Sequence, residues 1–145
     1  MLTNIALFQS DEFDRSFPAD EDEVLDEREP WGRDLAVFLI RSLKGKGMHV
    51  KHPTPFSGEG GWSFEVLTAP SAVSLFVHWV PIGNPSQDYW AVQIRQRRPL
   101  LQHIFGSSGE ATSSSVVQIL DEILREHAGV SAFRWLTAEE FAAIY

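Results

Sequence analysis

Three segments in the middle of the chain alternate apolar and polar residues with a period of two, and this pattern constrains the fold most. They span residues 62–68, 73–80 and 89–97. Successive side chains of a β-strand point to opposite faces of the sheet, so each segment predicts a strand with one apolar face. The clusters of Gly, Pro, Ser and Asn between them are too short to hold a crossover helix. The pattern therefore predicts antiparallel strands.

Two stretches of helical periodicity flank this strand region. Residues 31–44 carry apolar side chains every three or four positions and are followed by Gly45 and Gly47, which are typical of a helix end. Gly32, in the first turn of this segment, predicts a close approach of the helix to the sheet. A second apolar stripe begins at Val116 and ends before Gly129. Two main helices are therefore expected.

Shorter segments complete the predicted architecture. Residues 2–8 predict an edge strand, and residues 48–52 and 133–136 predict further short strands. Thr137 and Glu140, three positions apart, match a capping box that opens a last turn of helix. The sequence thus predicts the α+β class, with an antiparallel sheet of four to six strands and two main helices on one face.

Length and composition limit the class of protein. The chain of 145 residues is expected to form one domain spanning 1–145. Because the sequence has no cysteine, thiol catalysis and cysteine-ligated metals are excluded, and a reducing compartment is favoured. The first residues do not resemble a signal peptide, and no stretch approaches the roughly 20 apolar residues of a membrane span. We therefore expect a cytoplasmic protein that does not bind membranes.

Acidic residues are concentrated in segment 9–29. Ten of the 20 acidic residues lie there beside two arginines, so this segment carries the whole net charge of −8. Its low apolar content predicts an exposed loop. Such a charge favours a basic protein partner over nucleic acid. We expect Asp20, Glu21, Asp22 and Glu23 to contact that partner.

The period-two pattern also predicts the composition of the sheet face that the helices leave bare. Its expected partner-binding residues are Glu65, Phe76, His78, Tyr89, Arg95 and Arg97. Aromatic and arginine side chains of this kind are enriched in the parts of protein interfaces that contribute most to affinity. Two alternatives stay open at this point: a solvated face, or a face covered by the acidic segment.

A pocket for a small molecule or substrate is the alternative functional hypothesis. It brings together Glu59, Trp62, His78 and Arg95, with His78 as the candidate general base. The glycines beside Glu59 resemble a phosphate loop but lack its Lys and Ser or Thr. His49 and His52 alternate in a strand and cannot chelate one metal ion together. The sequence thus indicates no metal, no cofactor and no catalytic residue, and an enzyme is the less favoured hypothesis.

Several motifs together resemble a family of short, uncharacterised bacterial proteins. These are Gly32-Arg33 before Leu35-Ala36, Gly47 at the helix end, Glu59 followed by Gly61-Trp62, Trp90 in a strand, and Phe133-Arg134-Trp135. The resemblance covers about residues 27–136. It implies the same fold and a bacterial, cytoplasmic origin, without an activity. In size and charge the chain is also similar to toxin-immunity proteins, which inhibit a toxin by occupying its active site.

Overall fold

A computed structural model describes most of the chain. The described residues are 4–10, 12–13, 32–52, 54–58, 60–67, 72–82, 87–96 and 108–144. Some residues of the predicted binding sites lie outside these ranges, namely Glu59, Arg97, Asp20, Glu21, Asp22 and Glu23.

Most of the strands follow one another along the chain without a helix between them, as is typical of the α+β class. The strands are β1 (Asn4–Gln9), β2 (His49–Val50), β3 (Phe56–Gly58), β4 (Gly61–Leu67), β5 (Ala72–Ile82), β6 (Gln87–Gln96) and β7 (Ser131–Thr137). The helices are α1 (Arg33–Gly45), α2 (Ser108–Glu126) and α3 (Ala138–Ile144). All strand pairs are antiparallel, in the order β2-β4-β5-β6-β1-β7, and β3 also pairs with β4. The α+β class and the antiparallel sheet are therefore confirmed.

Within the described residues the sheet has seven strands instead of the predicted four to six. The additional strand, β3, lies in the segment before Gly61 that the glycines and prolines predicted to be a turn, and it forms a tight hairpin with β4. The prediction that β1 is an edge strand was wrong, because β1 lies between β6 and β7. Helix α2 starts at Ser108, well before Val116. Residues such as Glu110 and Ala111 favour helix, so the helix extends through this Ser-rich stretch.

One apolar layer joins α1 and α2 to the sheet. The buried side chains of this core include Leu35, Leu39, Leu43, Trp62, Phe64, Val66, Val73, Leu75, Val77, Trp90, Val92, Ile94, Val116, Leu120 and Leu124. The strand members are the apolar alternation sets of the sequence, so the placement of both main helices on one face is confirmed. A Cβ atom on Gly32 would lie 2.8 Å from the Trp90 ring, which confirms the close approach at the start of α1.

A smaller apolar cluster lies on the opposite face, beneath α3. It consists of Ile5, Leu7, Val80, Ala91, Leu136 and Phe141. The capping box begins this helix as predicted: the Glu140 amide donates to Thr137 Oγ1 at 3.1 Å, and the Thr137 amide donates to Glu140 Oε1 at 3.0 Å. The expectation that this face is bare is therefore wrong for the part that α3 covers.

The beginning of the acidic segment is held against the helix layer. Phe13 is only 7% exposed, and its ring centroid lies 5.5 Å from that of Phe38. The Glu12 carboxylate contacts Nε2 of His127, just after α2. The prediction that all of 9–29 is an exposed loop is corrected here, because Phe13 supplies apolar surface to the main core.

Length and apolar character decide whether a helix can span a membrane. None of the three described helices combines the length and the apolar character needed to cross a bilayer.

Candidate functional site

The part of the sheet opposite α1 and α2 that α3 leaves uncovered is called the open face below. It is formed by Phe56, Ser63, Glu65, Ser74, Phe76, Gln93 and Arg95. Strand register places Phe56 opposite Ser63, Ser63 opposite Phe76, and Phe76 opposite Gln93. Directly opposite residues on one face have Cβ atoms about 4.5–5.5 Å apart, so four strands contribute to one continuous row of side chains.

Phe76 lies at the centre of the open face and is 8% exposed. Its ring occupies the space above Gly61: a Cβ atom there would be 2.7 Å from Phe76 Cζ and 2.3 Å from the Val77 carbonyl oxygen. The ring also stacks on His78, with centroids 4.9 Å apart. Because Gly61 has no side chain, Phe76 can lie flat across the sheet.

Arg95 is held above this ring. Its Cζ atom lies 5.2 Å from the Phe76 centroid, within the range of a cation–π contact. Arg95 Nη2 also donates to Gln93 Oε1 at 3.2 Å. The guanidinium is exposed, yet two neighbours fix its position.

Gln93 links Arg95 to His78. Its amide oxygen faces Arg95, so its amide nitrogen faces His78 Nε2, at 2.9 Å. An amide nitrogen only donates, so His78 Nε2 accepts and the ring proton is on Nδ1. The three side chains form a directed series of hydrogen bonds that selects one tautomer of a neutral histidine.

His78 is buried, with 9% of its surface exposed. Burial, and to a smaller extent the charge of Arg95, lowers the pKa of His78 to about 4. The ring is also contacted edge-on by Phe141 of α3, with centroids 6.0 Å apart. His78 is therefore uncharged at neutral pH, and a nearby guanidinium opposes its protonation.

Exposed apolar residues and basic residues surround the outer strands of the open face. Phe56 is 55% exposed, and its ring centroid lies 5.2 Å from that of His52 in an edge-on arrangement. Leu67, farther along β4, is 39% exposed. Lys51 Nζ lies 3.4 Å from Glu65 Oε2. An isolated exposed phenylalanine is common, but here it continues a row of fixed aromatic and polar groups.

The predicted partner-binding residues are only partly brought together. Glu65, Phe76, His78 and Arg95 share one face, as the alternation predicted. Tyr89 is on the same face but packs against the cluster beneath α3, away from the open face. Arg97 and the four acidic residues 20–23 lie outside the described residues.

The predicted pocket is wrong in one essential point. Trp62 is 3% exposed within the core beneath α1, where Arg33 Cζ lies 5.9 Å from its ring. His78 and Arg95 are on the opposite face, because Trp62 aligns with Val77 in the neighbouring strand. The pleat of the sheet thus separates Trp62 from the other two, and Glu59 lies outside the described residues.

Phe56 is the residue of this face that sequence reasoning missed. It was assigned to a turn because Pro53, Pro55 and three glycines surround it. An apolar residue next to a short Gly-rich link is also typical of a tight hairpin. This feature would have indicated β3.

A metal site needs several carboxylate or imidazole groups close together. No group of three or more histidines, aspartates or glutamates among the described residues is arranged to hold a metal ion.

Similarity to known proteins is a further source of evidence about function. Neither protein-family models, nor curated proteins, nor solved structures gave a match for this chain. Inferences about its function therefore depend on the chemistry of the open face itself.

Proposed function

We propose that this chain is a non-catalytic interaction protein that binds a partner protein through the open face. The observation that carries the proposal is Phe56, 55% exposed, in one cross-strand row with Phe76 and beside the fixed guanidinium of Arg95. Arginine and aromatic side chains that become desolvated in an interface contribute most to affinity. Phe56 is the apolar anchor in this arrangement, and Arg95 is the directional donor.

The fixed position of Arg95 supports binding for an entropic reason. Immobilising a flexible side chain in an interface costs about 0.5–1.5 kcal/mol. The contact with Phe76 and the hydrogen bond to Gln93 restrict Arg95 before any partner arrives. The cost of ordering this side chain on binding is thereby reduced.

The chemistry of His78 argues against the enzyme alternative. An effective general base has a pKa near the working pH and a lone pair directed at the substrate. The pKa of His78 is lowered to about 4 by burial and by Arg95. Its Nε2 lone pair already accepts a hydrogen bond from Gln93. His78 is therefore better suited to holding Gln93 and Arg95 in position than to transferring a proton.

The charge of the chain supports a basic partner. The net charge of −8 belongs to segment 9–29, and negative charge speeds the encounter with a positively charged protein. In this proposal the chain acts as an inhibitor of the immunity type, which occupies the active site of a basic toxin such as a nuclease. The absence of cysteine supports a cytoplasmic location.

Site-specific photo-crosslinking in the native host tests this proposal. A benzophenone amino acid replaces Phe56 on the open face or, as the control, Gln118, which is exposed on α2 at the opposite side of the sheet. We expect one discrete adduct from position 56, with a basic protein, and none from position 118. Higher salt lowers the yield, because it screens the attraction.

A pair of arginine variants tests the site more sharply. Arg95→Ala is expected to lower the adduct yield about tenfold, as loss of an interface hot spot does. Arg33→Ala is the matched control, since Arg33 is also exposed and also lies above an aromatic ring, Trp62. Equal adducts from both crosslinking positions, or equal loss in both arginine variants, would contradict the proposal.

A further inference from the structure

The two edges of the sheet are formed by strands of different length. At one edge lie β2 and β3, with the ranges His49–Val50 and Phe56–Gly58. At the other edge lies β7, which extends over Ser131–Thr137 and pairs with β1 alone among the described strands. An edge strand has unpaired backbone N–H and C=O groups along its outer side. Among the described edge strands, only β7 is longer than three residues, and at its end the Thr137 amide already donates to Glu140 Oε1.

The backbone of β7 becomes regular after its first residues. Ala132 has a positive φ of 51°, and the register with β1 shifts between Leu7 and Gln9. Such a bulge discourages pairing at that end of the edge. Residues 134–137 continue as a regular ladder with β1, and Phe133 lies between this ladder and the bulge. This stretch also lacks proline and lysine, which commonly protect edge strands.

The side chains of β7 on the helix side are fixed by α2. The indole N–H of Trp135 donates to Asp121 Oδ1 at 2.9 Å, and Arg125 Cζ lies 4.9 Å from the Phe133 ring. Phe133 and Trp135 contact each other edge to face, with centroids 5.7 Å apart. Both rings are only partly buried, so the helix side of this edge has accessible apolar surface.

The opposite side of β7 carries a positive charge between these rings. Arg134 is exposed and lies opposite Leu7 of β1. None of the ion pairs found among the described residues involves Arg134. The outer edge thus has an aromatic–cationic–aromatic pattern with period two.

We propose that the outer edge of β7 accepts an extended segment of another protein by strand addition. Backbone hydrogen bonds give affinity in this mode, and alternating side chains give specificity. The complement of Phe133-Arg134-Trp135 is an acidic residue flanked on both sides by apolar residues. The carboxylate pairs with Arg134, and the apolar side chains contact the two rings. This site is separate from the open face and does not depend on the function proposed for it.

A second copy of this chain is the less suitable occupant. Antiparallel pairing of β7 with another β7, centred on Arg134, places Phe133 opposite Trp135 on the helix side. The same register places two guanidinium groups opposite each other, and like charges in that position are destabilising.

A synthetic peptide of about nine residues tests the proposal. Its helix-side positions are valine or isoleucine, its other positions are serine or threonine, and its central residue is glutamate. Amide hydrogen exchange followed by NMR is expected to slow at alternate residues of 133–136 when this peptide binds the full chain, since the Thr137 amide is already bonded to Glu140. A peptide with central lysine is expected to bind about fivefold more weakly, the effect of one unfavourable charge pair.

Variants of Arg134 give the matched controls. Arg134→Glu is expected to reverse the order of the two peptides, and Arg134→Lys to preserve it. The proposal is overturned if neither peptide slows exchange in β7, if protection appears only in β2 and β3, or if sedimentation shows a dimer that already protects β7 without peptide. An unchanged order of affinities in Arg134→Glu overturns the acidic specificity.

Discussion

Gly61 and Gly58 are cross-strand partners in the β3–β4 hairpin, but only one of them lacks room for a side chain. A Cβ atom on Gly61 would meet Phe76 and the Val77 carbonyl oxygen within 3 Å, whereas none of the atoms around Gly58 lies within 4 Å of such a Cβ. We predict that Gly61→Ala lowers the free energy of unfolding by about 1–3 kcal/mol, because the new methyl group overlaps the Val77 carbonyl oxygen and the Phe76 ring. Urea denaturation measures this change in the free energy of unfolding.

Gly58→Ala is the control for this prediction, and its free energy of unfolding is expected to stay within about 0.5 kcal/mol of the original. Equal destabilisation by both changes would show that the hairpin backbone, and not the Phe76 ring, requires glycine.

His78 makes the stability depend on pH. Its pKa is about 4 in the folded chain and about 6.5 when unfolded, so the unfolded state binds more protons between these values. Stability from this residue is therefore complete above about pH 6.5 and falls as the pH drops towards 4. The loss is on the order of 3 kcal/mol across the window. Urea denaturation at a series of pH values measures the slope.

Two histidine variants separate this effect from other titrations. His78→Gln keeps a side chain that can accept from Gln93 but cannot be protonated, so the slope between about pH 4 and 6.5 should decrease. His49→Gln, at an exposed position, should keep the original slope. If the slope survives in His78→Gln, the pH dependence originates elsewhere.

At the scale of elements, α3 is short and depends on its first turn. It has seven residues, fewer than an isolated helix needs in water, and the capping box satisfies two amides at its start. We predict that Thr137→Ala destabilises the chain by about 1 kcal/mol and speeds amide exchange in α3. Thr137→Ser keeps the hydroxyl and should behave like the original. A similar loss in the serine variant would assign the effect to the methyl group.

Sequence periodicity predicted the elements whose two faces differ. The alternation in β4, β5 and β6 predicted which side chains meet α1 and α2, and Thr137 with Glu140 predicted the start of α3. Periodicity did not predict the position of β1, because pairing with β6 and β7 is non-local. One neglected indication was available: β1 is apolar on both faces, at Ile5 and Leu7 as well as at Ala6 and Phe8, and this is typical of a strand inside a sheet.

The candidate site was predictable only in part, for a related reason. Alternation correctly grouped Phe76, His78 and Arg95, since cross-strand neighbours follow from parity. It could not indicate that Phe141 of α3 packs against the His78 ring, because that contact depends on how the chain turns after β7. Trp62 was misplaced by treating nearness in sequence to Glu59 as nearness in space.

At the scale of the whole molecule, the sheet separates the two proposed surfaces. The open face is centred on β4 and β5, and the other edge is β7, with β6 and β1 between β5 and β7. Arg95 extends the open face into β6, which is two strand spacings, or about 10 Å, from β7. Arg134 aligns through Leu7 with Ala91, which lies four residues, or about 13 Å, along β6 from Arg95. Residues separated by more than about 10 Å without shared partners act independently in most proteins. The open face and the β7 edge should therefore be energetically uncoupled.

This separation gives a prediction for the intact chain. With the crosslinker at position 56 in every chain, Arg95→Ala should leave the affinity of the glutamate peptide for β7 unchanged, and Arg134→Glu should leave the photo-crosslinking yield unchanged. In the double variant, each loss should be as large as in the corresponding single variant. This follows because the described cross-strand pairs do not join the two surfaces. Peptide titration and crosslinking on the same four chains measure both quantities. A change of more than about twofold in the remote measurement would mean that one partner contacts both surfaces, or that the sheet transmits the change.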